Sequence, residues 1–124
     1  MNRFEQARLK HRQLARPLFW AAAIFAFVMA VIPHPPDIPG EPSDKLQHIA
    51  AFMTLTALGA WAFPRVALIQ LMLRLSFFGA LIELAQAIPF IHRDCDPLDW
   101  LADTAACLVV IVAISWLRRR ARSS

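Results

Sequence analysis

The sequence predicts an all-α fold, an integral membrane bundle of four transmembrane helices, with both termini in the cytoplasm (N-in and C-in) and a polar cluster at the outer face. Three observations carry that expectation. Of 124 residues 58% are hydrophobic and only 18% are charged, against roughly 45 to 50% apolar in a soluble domain. Four segments approach or reach the about 20 apolar residues that cross a hydrocarbon core of about 30 Å. The charges are also clustered, with Arg3, Arg8, Lys10, Arg12 and Arg16 before the first apolar run and Arg118, Arg119, Arg120 and Arg122 after the last.

A single domain, 1–124, follows, with a basic cytoplasmic tail at 1–16, spans at 17–32, 46–63, 68–90 and 98–117, and a second basic tail at 118–124. The first span, PLFWAAAIFAFVMAVI, has no ionisable residue, and a tryptophan lies near its basic end. A basic region, an apolar run and the tripeptide VMA also imitate a cleaved signal peptide; cleavage would leave three spans in an unchanged orientation. The connector PHPPDIPGEPSD is proline-rich and extended, and Pro64 with Arg65 makes a very short turn into the third span. The segment IHRDCDP leads into the fourth, LADTAACLVVIVAISWL. A soluble bundle would need a polar stripe along each helix, and none of the four has one.

Orientation follows from the lysines and arginines. Both tails and the Pro64–Arg65 turn are basic, whereas the other two connectors hold Asp37, Glu41, Asp44, Asp94 and Asp96 against only Lys45 and Arg93. The positive-inside rule places the basic segments in the cytoplasm and the acidic connectors outside. The net charge of +4 flanks hydrophobic runs rather than forming a basic face, so the expected counter-charge is the anionic headgroups of the bilayer and not nucleic acid.

This topology brings polar residues of three helices to one level. Asp44, Lys45 and His48 open the second span, Glu83 and Gln86 fall in the last turns of the third, and Asp99 and Asp103 in the first turns of the fourth. At 1.5 Å per residue all lie within roughly 10 to 12 Å of the outer ends. Helical spacing extends these positions into stripes: His48, Phe52, Leu55, Gly59; Gly79, Glu83, Gln86, Phe90; and Asp99, Asp103, Ala106, Val110. Glycine and alanine on the same faces permit close approach, so the polar faces are expected to be the packed faces.

The run DKLQHIAAF, then ELAQ, then a loop arginine and DWLADT resemble the VanZ-like family of small bacterial membrane proteins over Asp44 to about Val110. Asp44, Lys45 and His48 match its D-K-x-x-H; Glu83 and Gln86 its E-x-x-Q; Arg93 its loop arginine; Asp99 its aspartate. Asp103 stands where many members have asparagine, and Ala105 and Ala106 where a glycine is common. The resemblance implies a bacterial inner (cytoplasmic) membrane location, a multi-pass topology and a link to the cell envelope and to the response to the glycopeptide teicoplanin.

Three readings of the polar residues remain open on the sequence. The first is a site for a lipid-linked or cell-envelope ligand, an anionic lipid or a cell-wall precursor. In it Lys45 and Arg93 hold the charged group, Arg as a bidentate fork and Lys as a compact charge, while Glu83, Asp99 and Asp103 orient those cations or accept from a sugar or peptide moiety, and Asp44, His48 and Gln86 complete the ligand-binding set. The second is an enzyme, a hydrolase or transferase, with His48 and Glu83 as acid and base, although no nucleophile motif or phosphate-cradling glycine loop accompanies them. The third is a purely structural polar network. A metal-assisted form of the enzyme is a sub-case: His92, Asp94, Cys95 and Asp96, with His48 as a further neighbour, are zinc-ligand types, but their spacing matches no zinc motif, so no metal ligand is assigned and no cofactor is expected. A homodimer is compatible with four short spans.

Overall fold

The structure is a computed structural model that describes residues 2–32, 44–89 and 97–123. Those residues form four helices, α1 (Arg3–Val31), α2 (Asp44–Ala62), α3 (Leu68–Gln86) and α4 (Pro97–Ser123). Among them α1, α3 and α4 are each long and apolar enough to cross a membrane. α2 falls short of that apolarity because Asp44, Lys45, Gln47 and His48 all sit in its first five residues.

Helix ends have local causes. α1 begins at Arg3 rather than at the apolar run, because Asn2 and Glu5 form a capping box: the Asn2 side chain accepts from the Glu5 backbone N–H at 2.9 Å, and Glu5 reaches back to the Asn2 N–H at 3.4 Å. That reciprocal pair satisfies two of the orphan donors of a helix start. The basic stretch before Pro17 is therefore a helical extension of the first span. Pro17 sits inside it, where the missing N–H leaves the Gln13 carbonyl without its usual donor. α3 ends at Gln86, with Ala87 as its C-cap, four residues short of the span expected from apolarity alone. Pro89 disfavours helical geometry for the residue before it, and the helix stops ahead of that point. Pro97 is the first residue of α4, the helical position where its absent N–H costs nothing.

The helices alternate in direction. α1 and α2 meet where the Arg16 guanidinium donates to the Ala62 carbonyl at 3.3 Å and lies 5.5 Å from the Phe63 ring centroid. At the opposite end the Gln86 side chain reaches the Ala30 carbonyl, joining the last turns of α3 and α1. α2 is the centre of the bundle: it packs on α1, α3 and α4, while α3 also touches α1 and α4.

The core is a narrow seam. Phe19, Ala23 and Ala30 of α1, Phe52 and Leu55 of α2, Leu71, Leu75 and Ile82 of α3, and Ala106 and Cys107 of α4 are buried. The rest of the apolar surface faces outwards, including Ile24, Phe25, Phe77, Leu84, Val109 and Val112. Only 17% of the most apolar window of α4 is buried inside the bundle. In water such contiguous apolar surface would drive aggregation; against lipid tails it costs nothing, and small residues at the seam supply the packing.

Gly59 is one of those small residues. A Cβ there would lie 2.8 Å from Leu71 Cδ1 and 3.2 Å from Phe19 Cε2. Gly59 thus lies where α2 packs tightly on side chains of α1 and α3. Gly59→Val should destabilise the bundle by about 1–3 kcal/mol through overpacking, read as a lowered unfolding midpoint of the detergent-solubilised protein, whereas Val109→Ala on the lipid-facing side of α4 should leave that midpoint nearly unchanged.

Candidate functional site

α2, α3 and α4 each bring one ionisable side chain to a common point in the seam. Stripe periodicity does the placing: Phe52 and Leu55 below His48, Gly79 and Ile82 before Glu83, and Ala106 and Cys107 after Asp103 are all buried. On α4 the inward face runs through Asp103, Ala106, Cys107 and Ile111, so Cys107 and Ile111 are buried where Val110 is only half-buried.

The resulting group is His48, Glu83 and Asp103, with one imidazole nitrogen and one oxygen from each carboxylate all within 4.8 Å of one another. His48 Nδ1 lies 3.6 Å from Asp103 Oδ2, an electrostatic contact longer than a hydrogen bond. Asp103 has no accessible surface, and Glu83 is 6% exposed. Neither Asp103 oxygen has a hydrogen-bond partner among the described residues. Leaving a buried polar group unpaired costs on the order of 1–3 kcal/mol, and more for a charged one.

Gly79 shapes the floor of this group. A Cβ at that position would sit 3.4 Å from Asp103 Oδ2, 3.4 Å from Phe52 Cζ and 3.5 Å from Trp100 Cδ1. The bare backbone therefore lets the carboxylate and both rings pack directly on α3. A second polar set holds α3 to α4 nearby: the Trp100 indole donates to the Ser76 carbonyl at 3.0 Å, and the Ser76 and Thr104 hydroxyls are 2.9 Å apart. Ser76 and Thr104 carry no sequence motif, and only their facing positions on helices packed together reveal the link.

The remaining candidates separate. Gln86 is buried, but its Nε2 donates to the Ala30 carbonyl at 3.0 Å, supplying a donor to one of the last carbonyls of α1, which lack intrahelical partners. Its bond is therefore a tie between α3 and α1. Asp99 stays with the group: it is half-buried in the first turn of α4, near the positive end of the helix dipole, and close enough for its charge to act on His48 and Asp103. The side chains of Asp44 and Lys45, all of Arg93, and Phe90 at the end of the α3 stripe lie outside the described residues, as do His92, Asp94, Cys95 and Asp96.

His48 has a second neighbourhood. It borders a cavity of about 410 Å³ between α1 and α2, walled mainly by Ala22, Phe25, Ala26, Met29, Ala51 and Phe52. One side chain thus joins an apolar cavity to the buried carboxylates.

The class that fold and site define is an all-helical membrane protein with an acid–imidazole group buried among three of its helices. Comparison of the chain with protein-family models, with curated proteins and with solved structures gives no match.

Because Gln86 bonds to a backbone carbonyl, Gln86→Leu should remove one interhelical hydrogen bond, worth about 0.5–1.5 kcal/mol. A urea or thermal unfolding series in detergent should show that modest loss without any change in helix content by circular dichroism.

Proposed function

We propose that the chain is a VanZ-like inner-membrane protein of four spans, N-in and C-in, that binds a lipid-linked or cell-envelope ligand near the outer ends of α2, α3 and α4. The observation that carries this reading is the position of His48, shared between the apolar cavity and the buried carboxylates. A ligand with a hydrocarbon chain and a polar, anionic head needs both environments side by side. The cavity volume of about 410 Å³ lies within the range of roughly 300–1,000 Å³ of small-molecule sites.

In this reading the chain of the ligand lies along Ala22, Ala26 and Met29 of α1, and its head meets His48. Lys45, three residues before His48 in the sequence, and Arg93 are assigned as the cations for the head by the resemblance to the D-K-x-x-H and loop-arginine pattern. Glu83 and Asp103 hold the imidazole and accept hydrogen bonds from the head. α2 counts as the fourth span because it packs on all three other helices.

The orientation rests on the ends of the bundle. Arg16 lies beside Ala62 at the α1–α2 end, and Arg118, Arg119 and Arg122 gather beside Leu68 at the start of α3. One end of the bundle is thus basic and the other holds the carboxylates, as the positive-inside rule requires of a cytoplasmic and an outer end.

Two measurements test the proposal. Native mass spectrometry of the purified protein should find an anionic lipid or polyprenyl-phosphate adduct that the double variant Lys45→Ala/Arg93→Ala loses and that Ala26→Trp, which fills the cavity, weakens at least tenfold; a wild-type protein free of any adduct would count against the ligand. Reporter fusions at residue 1 and residue 124 should both be active only in the cytoplasm, and an active periplasmic reporter at either end would overturn the topology.

A further inference from the structure

We propose that His48, Glu83 and Asp103 form a binding site for a divalent first-row transition-metal ion, with zinc the best-matched probe. The site does not depend on the ligand proposed above.

The donor set comes first. One imidazole and two carboxylates from three different helices place their ligand atoms within 4.8 Å of one another. In a tetrahedral zinc site with bonds of 2.0–2.2 Å the ligand atoms lie about 3.4 Å apart, so small side-chain rotations of roughly an ångström complete the geometry. Three protein ligands with a position left open is the arrangement of zinc sites that bind an exchangeable fourth ligand. Mixed nitrogen and oxygen donors without thiolate suit zinc, manganese, iron or cobalt.

Asp103 supplies the independent observation. Its carboxylate has no accessible surface, both oxygens lack a hydrogen-bond donor among the described residues, and its neighbour His48 stands 3.6 Å away, too far to donate. A carboxylate buried so completely, without donors, lacks the partner that such groups normally have. An ion bound between Oδ2 and the imidazole would fill that role. It would also offset charge: a divalent cation counters the two ligand carboxylates, with Asp99 close enough to act on both His48 and Asp103, and lowers the penalty for burying acids in hydrocarbon.

Packing and access agree with this. Gly79 lets α3 pack close to Asp103, since a Cβ there would come into van der Waals contact with Oδ2 at 3.4 Å. His48, with 11% of its side chain exposed, borders the cavity between α1 and α2, so the imidazole is the ligand reachable from outside the group. The zinc-ligand types of the 92–96 connector are a different set; the site proposed here draws one ligand from each of α2, α3 and α4, with no short-range spacing to announce it.

The test uses the full chain with an affinity tag that contains no histidine, purified in detergent. Elemental analysis should find about one transition-metal ion per chain, and zinc titrated into chelator-treated protein should bind with the same stoichiometry by isothermal titration calorimetry. His48→Ala and Asp103→Asn should each weaken zinc binding tenfold or more, with an unchanged helical spectrum; His11→Ala, on the exposed part of α1, should bind as the wild type does. Absence of metal as purified together with no response to added zinc would overturn the site. So would zinc binding that survives Asp103→Asn unweakened or disappears with His11→Ala. Should His48→Ala or Asp103→Asn fail to fold, a chelator-dependent fall in the wild-type melting temperature, reversed by zinc, supports the site, and indifference to chelator overturns it. Lipid adducts are scored separately by mass spectrometry, so loss of the ligand proposal leaves the metal result intact.

Discussion

A carboxylate with no access to water needs company, and the arrangement of this protein turns on the company that Asp103 keeps. Its side chain sits in the seam of the bundle, 3.6 Å from His48 and in one group with Glu83. Burying an isolated charge in a low-dielectric medium costs several kcal/mol or more. Within the group the imidazole of His48 is the side chain that can lower that cost, so the rotation of α2 against α4 matters to the chemistry of Asp103. A one-residue slip of α4 would turn Asp103 by about 100° around the helix, away from the imidazole.

Close packing is what makes the grouping geometrically available. Interhelical hydrogen bonds in membranes average only about 0.6 kcal/mol, so most of the cohesion has to come from contact between small and well-fitted side chains. Gly59 lets α2 approach Leu71 and Phe19, and Gly79 lets Phe52, Trp100 and Asp103 crowd one turn of α3. The seam is thin, and most large apolar side chains face away from it. Such a bundle relies on the bilayer to cover its flanks, and it leaves a cavity of about 410 Å³ between α1 and α2. Opposite this polar region the molecule is basic, with Arg16 on Ala62 and Phe63 and Arg120 over the Trp116 ring at 4.9 Å.

Some features were legible because they are properties of a helix taken alone. Apolar run length gives helices that can cross a membrane, and a 3.6-residue repeat gives the stripes on which Phe52, Leu55, Gly79 and Ala106 are buried. Helix ends were harder to read. Asn2 and Glu5 carry a capping signature in the sequence, and it extends α1 back through the basic stretch to Arg3; apolarity alone started the span at Pro17. The early end of α3 at Gln86 likewise had its signal in Pro89, which apolarity ignores.

By itself the sequence determined that the chain is helical, that at least three of its helices are apolar enough for a membrane, and that its ionisable residues gather at helix ends, since length, composition and periodicity are local properties. Tertiary structure decided which of those residues meet. Gln86 shares a stripe with Glu83 yet turns to the Ala30 carbonyl of α1, and Ser76 joins Thr104 across α3 and α4 with no motif to mark either. His48, Glu83 and Asp103 come from three separate helices, and their contact depends on each helix's rotation and height against its neighbours. Those are set by packing at Gly59, Leu71 and Gly79, and no periodicity within one helix contains them.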